Sequence, residues 1–392
     1  MTPRERVAAA MSLGTPGRVP VMCQLSIGHY FLRSGVAPLD VWFTSAGFAE
    51  ALVTLQRRYR FDGILVNLPG RDSGWQRHVL SIDGDPEGTR VRWRDGSSTL
   101  VPPDDLPQHV GAEGVRESPR FDAVDPEELF YVEPYDIAGT ASRGAWGFDP
   151  ERRTPDDFFP PHHADTMRML RAAAGPDVSV HAEVFSPWSQ FLELLGYERA
   201  LLAMLDDPGK TFACLDRLTE GAVALGRLLA AAGADAVLIS SAFAGAGFLS
   251  RRHYESYVLP FERRLVGGIR SAASVPVYTH TCGAIGDRLD LMLATGTNGI
   301  DTLDPPPLGT VDLAEAKGTL RGRAFIKGNI DPVNTLLAGS VEEVRRDARA
   351  RLAVGAPGGG YILSTACSVA PHTPQENIMA LAAAVDEGPP SG

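Results

Sequence analysis

Cysteine is scarce in this sequence: Cys23, Cys214, Cys282 and Cys367 are the only four in 392 residues. Thiols so few and so widely spaced exclude a disulfide scaffold and make a reducing cytoplasm the expected home. Positive charge is short too, with 37 Lys and Arg against 48 Asp and Glu and a formal net charge of −11. A surface that grips phosphates needs clustered Lys and Arg, so no nucleic-acid partner is expected. Long apolar runs are also missing, since none approaches the ~18 uncharged residues of a spanning helix. The opening Met1-Thr2-Pro3-Arg4-Glu5 has no signal-peptide core. Neither a membrane nor export is expected.

What is there reads as a soluble globular chain, 44% hydrophobic and 22% charged. Its length suits one large α/β domain or two ordinary ones. Thr2-Pro3-Arg4-Glu5 has the form of a capping box, and Val7, Ala10 and Met11 follow at helical spacing. Residues 18–22 read as a strand, 44–59 as a helix, and Gly63-Ile64-Leu65-Val66 as the next strand. Around Asp95-Gly96 the pattern turns into a hairpin, with 91–94 and 98–101 as its arms. The stretch from about 79 to 161 is therefore expected to be an insertion, a β-hairpin followed by a long Pro- and acid-rich connection. His162-His163 is expected to be exposed.

From residue 163 onward strands and helices alternate. Strands are expected at 178–183, 233–239, 275–280, 299–302, 324–327 and 361–366, with helices between them, one of them running from His253 to Ala272. Such a rhythm implies parallel strands and right-handed crossovers. With the two early strands it gives about eight βα units, the count of a (β/α)8 TIM-type barrel. The whole chain, 1–392, is thus read as a single barrel domain with an N-terminal elaboration and the hairpin insertion. Active sites of such barrels lie at the carboxyl ends of the strands. Glu183, Ser240, His280, Cys282, Asp301, Asn329 and Cys367 all fall at those ends.

Three of these are soft donors. His280 and Cys282 end one strand a residue apart, and Cys367 ends another. One imidazole and two thiolates form a three-ligand set that leaves a catalytic zinc one open position. From the residues alone the ordinary alternative stands equally: a buried Cys acts as a small hydrophobe, and a strand-end His is hydrogen-bonded.

The text around these residues resembles a known family. Leu259-Pro260-Phe261, His280-Thr281-Cys282-Gly283, Gly328-Asn329-Ile330-Asp331-Pro332 and Pro371-His372-Thr373-Pro374-Gln375-Glu376-Asn377 look like the uroporphyrinogen decarboxylase superfamily, in its zinc-dependent corrinoid:thiol methyltransferase branch (the coenzyme M type). Weaker similarity runs through nearly the whole chain, including Pro187-Trp188 and Leu194-Leu195-Gly196. The resemblance implies that His280, Cys282 and Cys367 bind zinc and that a thiol substrate is methylated. It implies a corrinoid (cobalamin) as methyl donor, carried by a partner protein. Decarboxylation fits less well. That enzyme's carboxylate-binding arginines fall where Leu25 and His29 stand, and its essential Asp falls in 64–69, which has no acid. A polyanionic substrate without Arg partners is poorly held.

Among the remaining candidates, Glu183 could be a fourth ligand or a general base, and Asp301 and Asp304 could orient His280. His29, Tyr30, Asn329 and Ser240 are candidates for lining the substrate cavity, although 328–332 also reads as an architectural turn. Alternatives that keep the fold are demethylation of a methylated substrate, C–S cleavage, decarboxylation, or a corrinoid-binding protein with a structural metal. Exposed apolar helices leave room for a homodimer.

Overall fold

The computed structural model describes residues 1–114, 118–134 and 158–388. Its main sheet holds seven parallel strands: β1 (Gly63–Val66), then β6 (Ser179–Phe185), β7 (Ala236–Ser240), β8 (Val277–Thr281), β9 (Gly299–Thr302), β10 (Phe325–Ile330) and β11 (Tyr361–Thr365). They lie side by side in chain order, and helices cross from each to the next, which is the (β/α) arrangement expected.

The expected strand at 18–22 closes the ring, but only through single bridges. Leu363 donates to the Pro20 carbonyl at 2.9 Å, Met22 donates to Leu363 at 3.0 Å, and Asp62 donates to Val21 at 2.7 Å. A regular strand fails here for two physical reasons. Pro20 has no N–H to give to a ladder, and the Val21 N–H is taken by the Asp62 carboxylate at 2.8 Å.

Asp62 also anchors the floor of the barrel. It is 1% exposed and pairs with Arg6 at 2.6 Å and Arg18 at 2.9 Å. Arg6 lies on the N-terminal helix Pro3–Met11, which starts with the full Thr2/Glu5 capping box. That helix buries Val7, Ala10 and Met11 against the lower barrel residues Met22, Leu65, Leu238, Tyr278, Phe325 and Ile362. Asp62→Ala would take an acceptor from two partly buried guanidiniums, which keep Asp386 and the Met1 carbonyl, and from one backbone N–H. An expected loss of about 2–4 kcal/mol, reduced from the fully buried case because both arginines reach solvent, is measurable by denaturant unfolding.

The insertion forms a second, antiparallel sheet of four strands: β2 (Val79–Asp85), β3 (Gly88–Trp93), β4 (Ser98–Val101) and β5 (Gln108–Val110). Its β3–β4 turn is the expected Asp95-Gly96, where Gly96 has φ +88 and Asp95 accepts from the Ser97 N–H at 2.9 Å. Trp93 pins this sheet to the domain, meeting Phe43 and Trp75 edge-on.

Two expectations are corrected. The helix read from His253 to Ala272 is two, Arg251–Tyr257 and Leu259–Ala272, because Pro260 has no N–H to give to the carbonyl one turn back. His163 is buried, at 3% exposed, where its ring packs on Phe159 at 4.9 Å.

Candidate metal centre

Strand alternation aims Tyr278, His280 and Cys282 into the barrel while Thr279 faces away and bonds Thr297. Gly283, with φ +77, turns the chain directly after Cys282, and its N–H is tied to Asp304 at 2.6 Å. Cys367 leaves β11 from the far side of the ring. The outcome is one compact group: the ligand atoms of His280, Cys282 and Cys367 all lie within 4.8 Å of one another. His280 Nε2 is 3.2 Å from Cys282 Sγ, and the two sulfurs are 3.6 Å apart. Among the described residues this is the single group of three or more His, Cys, Asp or Glu donors so placed.

Behind the group stands a relay written in the strand register. His280 on β8 pairs with Asp301 on β9, which pairs with Lys327 on β10. Asp301 Oδ2 lies 3.1 Å from His280 Nδ1, and Lys327 Nζ donates to Asp301 Oδ1 at 2.9 Å. Asp301 is 1% exposed and Lys327 2%. Burial alone would raise the Asp301 pKa; Lys327 and His280 outweigh it and hold the carboxyl below its ordinary range. With Nδ1 engaged by this carboxylate, Nε2 is the nitrogen that His280 presents to Cys282 and Cys367.

The protonation of the three donors bears on whether they suit a metal. Burial would lower the His280 pKa, but its bonds to Asp301 and Cys367 keep it raised, at about 10. Cys367 is pulled well below the usual thiol range, first by the bond from Cys282 and also, against burial, by His280. Cys282 is pushed the other way, because it donates to that neighbouring sulfur and is buried. Two thiolates this close repel each other unless a cation lies between them. A soft divalent ion removes the conflict by replacing the protons, so the donor set fits zinc.

Other candidates are placed differently. Glu183 on β6 falls outside the ligand group, although it feels His280 electrostatically. Burial pushes its pKa up to about 7, against a hydrogen bond with Ser240. Asp304 serves the Gly283 turn. Asn329 is fully buried, with its carboxamide committed to the Leu303 carbonyl at 2.8 Å and to Arg351 at 3.0 Å. His29 sits among helices, its ring nitrogens 2.9 Å from the Pro371 carbonyl and 2.8 Å from the Tyr59 hydroxyl. Tyr30 beside it packs edge-on against Phe48. The structure thus does not bring His29, Tyr30 or Asn329 to the cluster. Lys327 escaped the sequence reading. Its one signal was a lysine in the middle of an apolar run that must be a buried strand.

A parallel barrel with an imidazole and two thiols at its mouth defines the class. The chain belongs to the uroporphyrinogen decarboxylase (URO-D) family, whose model matches residues 149–388. It is 30% identical over 223 residues to a methylcobamide:CoM methyltransferase of Methanosarcina barkeri, an overlap of 57% of this chain and 62% of the relative. It is 35% identical over 182 residues to a uroporphyrinogen decarboxylase of Saccharopolyspora erythraea, covering 45% and 48%. The chain therefore spans less than two thirds of the length of these curated relatives. A solved methyltransferase from Methanosarcina mazei shares the fold, with a TM-score of 0.68, 20% identity and 99% of both chains covered.

Proposed function

We propose that this protein is a methyltransferase in which His280, Cys282 and Cys367 hold zinc and a thiol substrate is methylated from a corrinoid. The convergence of those three side chains within 4.8 Å carries the reading. When bound, such an ion lowers the pKa of a coordinated thiol so that it is a thiolate at neutral pH. The relative named as a methylcobamide:CoM methyltransferase supports a corrinoid as donor and a thiol as acceptor.

The chain's own residues prepare the site. Asp301 and Lys327 fix the His280 ring, so its Nε2 stays turned toward the sulfurs. Two thiolate ligands donate strongly, which leaves a bound substrate sulfur its nucleophilicity. The barrel wall excludes water from the inner face of the group, where Asp301 and Lys327 are almost wholly buried. A methylated corrinoid would supply the methyl group to the substrate sulfur and keep the electron pair of the bond it gives up, and the thiol proton would be released to solvent.

The decarboxylase relatives support a second reading on the same fold. It is disfavoured because Leu25 and His29 occupy the positions of that enzyme's substrate-binding arginines, and His29 is enclosed by Pro371 and Tyr59. Incubation with methylcobalamin and a simple thiol tests the proposal. The expected products are cob(I)alamin and the methyl thioether; methylcobalamin unchanged over many hours with zinc-loaded protein would rule it out.

A further inference from the structure

A small cavity lies between the carboxyl ends of β1 and β6, lined by Asn67, Tyr131, Glu133, His163, Glu183 and Phe185 together with apolar neighbours. Its volume is about 20 Å³, room for one water or one ammonium group. Two acceptors in its wall are buried without a donor among the described residues, Asn67 Oδ1 and Glu183 Oε2. Asn67 is only 8% exposed. A buried acceptor left without a donor is costly, so two at one spot call for a donor group. Among the described lining residues there is no Lys or Arg. The nearby Lys327 ammonium is already committed to Asp301.

We propose that Asn67 and Glu183 form a subsite for the ammonium group of a short aminothiol, the substrate whose sulfur sits at His280, Cys282 and Cys367. This rests on the thiol-activating reading above. Glu183 links the two places, since it lines the cavity and also interacts electrostatically with His280. β6 and β8 are separated by β7 alone, so their backbones are about 10 Å apart, and inward-pointing side chains close part of that gap. A substrate with a sulfonate or carboxylate tail would meet the Glu183 carboxylate and be repelled. An ammonium would give both orphan acceptors a charged donor, and burial of the Glu183 Oε2 atom makes that partner worth more than in water.

Three two-carbon thiols with different ends make the test: cysteamine, 2-mercaptoethanol and 2-mercaptoethanesulfonate. Their binding is read from the absorption bands of the cobalt(II)-substituted protein as each thiol joins the metal. Cysteamine is expected to bind at least about tenfold tighter than 2-mercaptoethanol, and the sulfonate more weakly than either. The thiols differ in acidity, so the ratio in variants decides. Glu183→Gln and Asn67→Leu are each expected to cut the cysteamine advantage several-fold, with 2-mercaptoethanol binding showing that the variants are folded. An advantage retained in both variants, or a preference for the sulfonate, overturns the subsite and leaves thiol activation standing, with the cavity holding water only. Bands that no thiol perturbs overturn the subsite and the thiol reading together.

Discussion

Cys367→Ala is expected to lower metal affinity by about a thousandfold or more and to abolish thiol methylation, since zinc sites of this kind owe about 10–16 kcal/mol to only a few ligands. The sulfur sits 3.6 Å from Cys282 Sγ, and nothing else in the described ligand group can replace it. Its removal also frees Cys282 from its hydrogen-bond acceptor, so the remaining pair becomes an ordinary His-x-Cys. Cys282→Ala should behave alike. Cys214, buried in the helix Pro208–Ala231 and far from the group in the fold, provides the control. Cys214→Ala should retain metal and fall only slightly in stability. Elemental analysis of the three purified variants separates these outcomes.

Lys327→Met is expected to act twice. Asp301 would remain almost wholly buried with His280 as its sole charged partner, and breaking a buried ion pair from one side costs about 3–5 kcal/mol. Metal affinity should fall by about 10–100-fold, the usual effect of losing a group that orients a ligand. The double variant Lys327→Met with Asp301→Asn removes the stranded charge. It should recover most of the stability while metal affinity stays low, because an amide no longer fixes the His280 tautomer in the same way. A single variant as stable as the wild type would mean that Asp301 is not held by Lys327. Acid stability carries the same sign. Asp301 is held below its ordinary range near 3.8, so its pairing is fully present above that value and is lost as the pH falls through the lower folded one. Lys327→Met should flatten this acid limb.

The barrel was legible because buried parallel strands read as short apolar runs with polar ends, and helices between them read by period. The three-donor cluster was legible for the same reason: His280, Cys282 and Cys367 each follow an apolar run, and barrel topology puts all such ends on one face. Cross-strand register is not written in any single run. The His280–Asp301–Lys327 relay exists because three neighbouring strands are staggered so that these positions pair. Glu183 shares the barrel face but lies outside the donor group. His29 and Tyr30 precede the barrel proper and are covered by Pro371, Tyr59 and Phe48, contacts across long sequence separations that no local pattern reveals. The closing strand at 18–22 was shortened by Asp62, 41 residues beyond Val21, taking a backbone donor.

X-ray absorption at the zinc edge, combined with metal content per chain, tests the central claim most directly. The account predicts one zinc per chain with two sulfur and one nitrogen ligand from the protein, and a further sulfur when a thiol substrate is added. Protein that carries no stoichiometric metal, or zinc whose sulfur coordination survives Cys282→Ala combined with Cys367→Ala, would contradict it.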